Sequence, residues 1–237
     1  MNNHTLCHSL VDSLQLSTFP VAMGFLDSAP EGVSVFESAV PSACAFWVQA
    51  ERRLFFAKAE SHENCPIGVM TMGFPISLRV MSNLTDFVSK MCSASYIGAK
   101  EPEHIPRMGK AAKGILYGPL ADFPTHPDLV LVWVNGRQAM LLEEALGTVC
   151  WDRMDNAETF GRPACGALAI SVNESKPTLS FGCSGMRTFT DVQDDKLLAS
   201  LPGSLLESLP DKLQKTVQAN QEMLTFYRHH KAQYGTV

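Results

Sequence analysis

Four cysteines occur as two similarly spaced pairs, in two stretches of the chain that resemble one another. The first pair is Cys44 and Cys65, and the second is Cys165 and Cys183. In both stretches a proline precedes the first cysteine, an apolar run and a polar turn follow it, and a β-prone segment leads to the second cysteine. Equivalent thiols from two copies of one unit would meet on a pseudo-two-fold axis. We therefore predict a four-thiol site between two related halves.

Thiolate ligands restrict which metal such a site would hold. Thiolate sulfur is a soft ligand and selects zinc, copper(I) or iron–sulfur clusters over hard cations. Zinc sites draw their cysteines as close pairs with about two to four residues between them, and the chain has no Cys-x-x-Cys motif. Iron–sulfur clusters accept cysteines from scattered loops. The spacing favours an iron–sulfur cluster, with [4Fe–4S] preferred and zinc as the alternative, and all four cysteines are predicted metal ligands.

A glycine follows the second cysteine of each pair. Gly68 comes after Cys65, and Gly185 comes after Cys183. Because glycine has no side chain, it lets backbone amides approach a cluster sulfide or another bound anion closely. We predict that both glycines lie at the cofactor. The alternative for the whole set is that the cysteines are packing residues, since free cysteine is among the most buried residue types.

Three polar residues near the cysteines are candidate catalytic groups. His62 lies three residues before Cys65 and could bind a metal or stabilise a neighbouring thiolate. Glu63 is a candidate general base. Arg187, like Arg162, flanks the second cysteine pair and could hold a carboxylate or phosphate substrate. The alternative for each of these residues is that it is a surface side chain, either solvated or ion-paired.

Composition and charge argue against several classes of protein. The 237 residues are 46% hydrophobic and 18% charged, which is typical of a folded globular protein. A net charge of -5 and the lack of a basic run do not fit a nucleic-acid binder. No apolar stretch is long enough to span a membrane, and the start of the chain lacks a signal-peptide pattern. Seven cysteines, an odd number, do not indicate a disulfide framework, so we expect a cytoplasmic protein.

Hydrophobic periodicity predicts helices alternating with strands. The predicted helices span 4–15, 41–48, 66–73, 84–97, 137–146 and 210–230, and the predicted strands span 19–25, 54–59, 114–120 and 129–134. The fold class is therefore α/β or α+β, with a mixed sheet, flanking helices and two pseudo-two-fold-related halves.

The same pattern divides the chain into four segments. They are an N-terminal helix at 1–19, a first half at 20–113, a second half at 114–190 and a C-terminal helical segment at 191–237. Each half contains one cysteine pair. Residues 98–113 are rich in proline, glycine and charge, which predicts a linker or a mobile loop between the halves.

These motifs resemble a prokaryotic protein family called domain of unknown function 169. The similarity rests on Cys44 and on residues 62–68, 127–132, 138–140, 162–165 and 181–187. The similarity covers roughly residues 10 to 215. The predicted helix beyond residue 215 resembles an extension that lies outside the pattern common to the family. The resemblance implies that the four cysteines and His62 fall on signature motifs of the family. It implies no established activity.

Three functions are compatible with these observations. The first is a cytoplasmic iron–sulfur protein with a redox or Lewis-acid role, an oxidoreductase or lyase in which three or four thiols bind. The second is a metal-free thiol enzyme with Cys65 as nucleophile, His62 as base and Arg187 orienting an anionic substrate. The third is a protein that binds a small ligand, zinc or copper without turnover. A small-molecule substrate, a redox partner or a second copy of the chain are the expected partners.

Overall fold

The computed structural model describes residues 2–38, 40–110, 112–148 and 159–234. Cys150, a candidate spare redox thiol, lies outside the described residues. Within them the helices are α1 (Asn3–Leu14), α2 (Ala45–Ala50), α3 (Pro66–Thr71), α4 (Leu78–Ser93), α5 (Gly136–Leu146), α6 (Ala164–Glu174), α7 (Ser184–Thr190) and α8 (Leu209–Tyr234). The strands are β1 (Val21–Leu26), β2 (Val35–Phe36), β3 (Phe55–Lys58), β4 (Gly114–Pro119), β5 (Leu129–Val134), β6 (Thr159–Phe160), β7 (Thr178–Ser180) and β8 (Leu197–Pro202).

All of these strands belong to one mixed sheet, in the order β2-β3-β4-β1-β5-β8-β7-β6. The two central strands, β1 and β5, are antiparallel and share three residue pairs. Each has a longer antiparallel partner on its outer side, with six residue pairs for β1 and β4 and six for β5 and β8. The outermost pairs, β2–β3 and β6–β7, are parallel. The predicted mixed α/β fold is confirmed.

Helices cover both faces of the sheet, and the cysteine-bearing helices share one face. The inner side chains of α2, α3, α6 and α7 pack against Met23, Leu131 and Trp133 on that face. On the opposite face α1, α5 and α8 pack against Val130 and Val132. Because neighbouring side chains of a strand point to opposite faces, β5 is buried along its whole length. This explains its uninterrupted apolar sequence.

Each parallel strand pair is joined by a helix that carries or follows a cysteine. Helix α2 connects β2 to β3, and α6 connects β6 to β7. These two units lie at opposite ends of the sheet. The strand order alone does not establish that the units are copies of each other, so the internal duplication stays a prediction.

Three predicted boundaries differ from the structure. Strand β4, placed by sequence in the second half, pairs with β1 and β3 of the first half. The segment 191–237 is not wholly helical, because β8 precedes α8 and pairs with both β5 and β7. Helix α4 begins earlier than predicted, since the Ser77 side chain accepts a hydrogen bond from the Val80 amide and caps it.

No helix in the described part of the chain combines the length and the apolar character needed to cross a membrane.

Candidate functional site

All four cysteines of the predicted site line one cavity of about 250 Å³. Each of them lies at the start of a helix on the same face of the sheet. Cys44, Cys65 and Cys183 directly precede α2, α3 and α7, and Cys165 is in the first turn of α6. The fold therefore brings together two cysteine pairs that are far apart in the sequence.

The start of α3 is packed tightly against the neighbouring cysteine segment. Pro66 occupies the first turn, where its fixed φ suits a helix and its missing N–H is not needed. A Cβ added to Gly68 would lie 2.7 Å from the Ala43 Cβ and 2.9 Å from the Cys65 Sγ. Only glycine permits this approach. Gly185 lines the cavity as well, but a Cβ added there would lie 4.0 Å from the Cys183 Sγ, which is an ordinary contact.

Hydrogen bonds connect the thiols to their surroundings. The Ser42 Oγ lies 3.1 Å from the Cys44 Sγ and 3.6 Å from the Cys65 Sγ. One hydroxyl therefore contacts both sulfurs of the first pair, which places them close to each other. In the second pair, the Met186 amide donates to the Cys183 Sγ at 3.4 Å.

The thiols also influence one another electrostatically. Burial raises the pKa of Cys44 to about 12; the Ser42 hydroxyl opposes this shift, and Cys65 and Cys183 add to it. Burial raises the pKa of Cys165 as well, and Cys65 is the next largest cause. Both side chains are neutral thiols at pH 7 in the absence of a metal. A metal that binds them must displace protons, because the ligand is the thiolate.

Apolar side chains form the walls of the cavity. Trp47 and Met186 come from the cysteine helices, and Phe87 and Met91 come from α4. Ile105 and its neighbours in 98–113 also line it. The segment that the sequence predicts to be a linker is thus part of the cavity wall.

Trp47 has an unusual polar atom in this apolar environment. Its side chain is 1% exposed and lines the cavity. Its indole Nε1 is one of two buried side-chain polar atoms, with Ser200 Oγ, that have no hydrogen-bond partner within the described residues. Because buried donors are nearly always paired, this N–H is available to an acceptor that enters the cavity.

His62 is fully buried and does not line the cavity. Its Nδ1 lies 2.8 Å from the Lys58 carbonyl oxygen and its Nε2 lies 3.1 Å from the Tyr117 hydroxyl. Since a carbonyl can only accept, Nδ1 carries the proton and Nε2 accepts from the tyrosine. Burial lowers the pKa of His62 to about 4, so the ring is neutral. With both nitrogens occupied, this side chain offers no lone pair to a metal in this arrangement.

Glu63 also lies outside the cavity lining. It accepts a hydrogen bond from the Ser77 Oγ at 3.1 Å and lies 3.9 Å from the Arg79 guanidinium. Because Ser77 caps α4, this carboxylate helps to fix the start of that helix.

Arg187 also has a structural role and does not line the cavity. Its guanidinium donates to the carbonyl oxygens of Phe181, Gln193 and Lys196 at 2.7, 3.3 and 3.1 Å. These bonds close the turn that connects α7 to β8. Of the two arginines that flank the second cysteine pair, only Arg162 lines the cavity.

Several residues at the site were not predicted from the sequence. Tyr117 is buried behind the thiols; burial raises its pKa, and Cys165, Cys44 and Cys65 add to the effect. It sits in the middle of β4, where nothing in the sequence marks it. Ser42, by contrast, lies two positions before Cys44, and that short spacing was an available signal.

The arrangement differs from that of a single-metal site. Within the described part of the chain, no three or more His, Cys, Asp or Glu side chains are placed so that they could hold a metal ion. A single metal ion could bind at the thiols only if the cysteine side chains moved closer together. A larger metal centre could instead bridge the sulfurs where they are.

Comparison with known proteins identifies the family. The model of domain of unknown function 169, described as an uncharacterised ArCR family, matches residues 9–211. The chain belongs to this family. The domain of unknown function 169 match extends from α1 to the start of α8 and includes all four cysteines of the cavity. No curated protein and no solved structure matches the chain.

Proposed function

We propose that this protein binds a [4Fe–4S] cluster through Cys44, Cys65, Cys165 and Cys183, and uses it in the cytoplasm for a redox reaction. A Lewis-acid role requires that only three of these thiols bind, which leaves one iron open to a substrate. The observation that carries the proposal is the meeting of the four thiols at one cavity. Free thiols at four helix starts, one of them buried and three partly buried, are the donor set that a soft metal centre requires.

The separation of the cysteines along the sequence favours a cluster over zinc. A zinc ion holds four sulfurs at about 2.3 Å from a single point, and no such grouping is present in the described residues. A [4Fe–4S] cluster binds one thiolate at each of its irons, so it accepts sulfurs that are farther apart. The cavity among the thiols provides space for the cluster itself.

The unpaired Trp47 N–H also supports a cluster. Sulfides and thiolates of iron–sulfur clusters accept hydrogen bonds, and these bonds help to set the reduction potential. Trp47 lies on the helix that follows Cys44 and lines the same cavity. A cluster sulfur would give its indole the acceptor that it lacks in the described residues.

The thiol-enzyme hypothesis gains no comparable support. No hydrogen bond joins the His62 ring to the Cys65 thiol in the described residues, and both ring nitrogens have other partners. A histidine whose pKa is lowered to about 4 is also a weak base toward a thiol.

Iron analysis of anaerobically purified protein tests the proposal. We expect a brown protein with about four iron and four sulfide ions per chain, the composition of the cluster. Changing any one of Cys44, Cys65, Cys165 or Cys183 to Ser should lower both contents sharply. Cys92→Ser is the matched control, because Cys92 lies on α4 and does not line the cavity.

Two results would contradict the proposal. One is a colourless protein that remains free of iron after reconstitution with ferrous iron and sulfide. The other is stoichiometric zinc that is lost on mutation of the same four cysteines, which would assign the site to a single ion.

A further inference from the structure

The mouth of the thiol cavity carries one charged pair. Of the described residues that line it, Glu101 and Arg162 are the only two with charged side chains. The Arg162 Nη2 lies 3.5 Å from the Glu101 Oε2, and the two side chains are 43% and 53% exposed. The pair therefore lies where the cavity meets solvent.

Arg162 is held in position, but its guanidinium makes no hydrogen bond within the described residues. Its guanidinium stacks on the Tyr96 ring at 4.6 Å, and the Tyr96 hydroxyl lies 3.3 Å from the Ser184 Oγ. The distance to Glu101 exceeds the roughly 2.7–2.9 Å of a charge-assisted hydrogen bond. Arg162 makes no hydrogen bond to any other described residue. Its planar group can thus offer two parallel N–H donors to an incoming carboxylate.

The remainder of the cavity suits an apolar body. Trp47, Met91 and Ile105 line it, and Phe87 and Phe189 form an exposed apolar rim. An apolar cavity of about 150 Å³ binds benzene, so the cavity of about 250 Å³ has room for a ring-sized molecule. Apolar walls with a single polar anchor fix the orientation of a ligand.

We propose that this cavity binds a small carboxylic acid with an apolar, ring-sized body, and that Arg162 is the receptor for its carboxylate. The ligand carboxylate replaces Glu101 as the partner of Arg162, and the ligand body lies over the thiols. A single guanidinium balances one negative charge, which favours a carboxylate over a doubly charged phosphate ester. The ligand is placed in the cavity as it is without a cluster, so this inference does not depend on the proposed function.

Calorimetric titration of the full chain tests this site with benzoate and 3-phenylpropanoate as probes. At least one of them should bind 10-fold or more tightly than benzamide, roughly the effect of one charge-assisted pair. Arg162→Met should weaken carboxylate binding by about 10-fold or more and leave benzamide unchanged. Glu101→Gln should tighten carboxylate binding, because it removes the competing partner.

Arg79→Met is the matched control. It removes the same charge from an exposed side chain that lies outside the cavity, so carboxylate binding should stay as in the wild type. Circular dichroism checks the fold of each variant. If Arg162→Met does not fold, the tighter binding expected for Glu101→Gln still decides the question.

The inference is overturned if neither carboxylate binds, if benzamide binds equally well, or if both Arg162→Met and Glu101→Gln leave affinity unchanged. If phenyl phosphate binds more tightly than both carboxylates, the assignment of a carboxylic acid as the ligand is wrong.

Iron content is measured on the same samples. Iron-containing protein that binds no carboxylate refutes this inference alone, and iron-free protein that binds benzoate refutes the cluster alone.

Discussion

The neutral ring of His62 is fixed by two hydrogen bonds inside an aromatic environment. Phe46 and Phe74 lie 4.6 and 4.9 Å from it, measured between ring centroids. An imidazolium ion in this position would lose its hydration and could no longer accept from the Tyr117 hydroxyl. Protonation of this one side chain therefore opposes folding.

His62 should make stability depend on pH. The pKa of His62 is about 4 in the folded protein against 6.5 for an ordinary histidine. Between these values the unfolded chain binds the proton and the folded chain does not. The free energy of unfolding should thus be fully retained above about pH 6.5 and fall by about 3 kcal/mol as the pH drops to about 4.

Urea unfolding of the wild type and of His62→Gln, at pH 7 and at pH 4, measures this contribution. Glutamine can keep both hydrogen bonds but does not titrate. The stability difference between the two proteins should change by about 3 kcal/mol over this interval. If the wild type and His62→Gln lose the same free energy of unfolding between pH 7 and pH 4, other groups cause the acid sensitivity.

At the scale of single residues, the sequence identified the cysteines but not the partners of the charged groups. Repetition of a spacing is visible in the sequence, so the four cavity thiols could be selected. His62, Glu63 and Arg187 were chosen because they are close to cysteines along the chain. Their hydrogen-bond partners come from other elements, and sequence distance does not report which way a side chain points. Their catalytic roles stay predictions.

At the scale of elements, the position of each thiol depends on where a helix starts. Helix α3 can begin at Pro66 only because Gly68 allows it to approach Ala43. The Ala43 Cβ is attached directly to the backbone and cannot swing away as the end of a long side chain does, and the Cys65 sulfur could move only by rotating about χ1, away from its place at the cavity. The helix would have to move instead.

Gly68→Ala should therefore displace α3 and damage the thiol site. We expect a loss of about 1–3 kcal/mol in the free energy of unfolding, the usual cost of overpacking, together with a lower iron content. Gly136→Ala is the control, because Gly136 lies in α5 with open space around its Cβ position. It should keep full iron and equal or higher stability, since alanine favours a helix. Equal behaviour of the two variants in denaturant titrations and iron assays would refute this account of Gly68.

The elements that sequence reasoning found are those with long, regular patterns. Strand β5 has a continuous apolar run and α8 has helical periodicity over many residues. The two-residue strands β2 and β6 are too short to show any period. Strand β8 was missed because its short apolar run follows an acidic turn and could belong to a strand or a buried helix.

At the scale of the whole molecule, α8 extends beyond the part of the chain that it packs on. Its start is buried through Leu209 and Leu213, and Asn220 donates to Glu144 of α5 at 2.7 Å. Beyond that point the helix exposes large side chains, including Phe226, Tyr227 and Tyr234. The family match also ends at residue 211.

Ending the chain after Gln221 should leave the fold intact. The removed helix turns bury little apolar surface, so the midpoint of thermal unfolding and the iron content should match those of the full chain. Leu213→Ala in the full chain should instead cost about 2–5 kcal/mol, because it empties a buried site between helices. A truncated protein that unfolds as readily as Leu213→Ala would assign the distal helix a structural role.

The sheet is joined at its centre by a short antiparallel ladder. Three residue pairs link β1 to β5, half the number that each of these strands shares with its outer neighbour. Cys44 and Cys65 belong to elements on one side of this junction, and Cys165 and Cys183 to elements on the other. A cluster held by all four would cross-link the two sides of the sheet over this three-pair ladder. Loss of the cluster would then loosen the molecule along this junction.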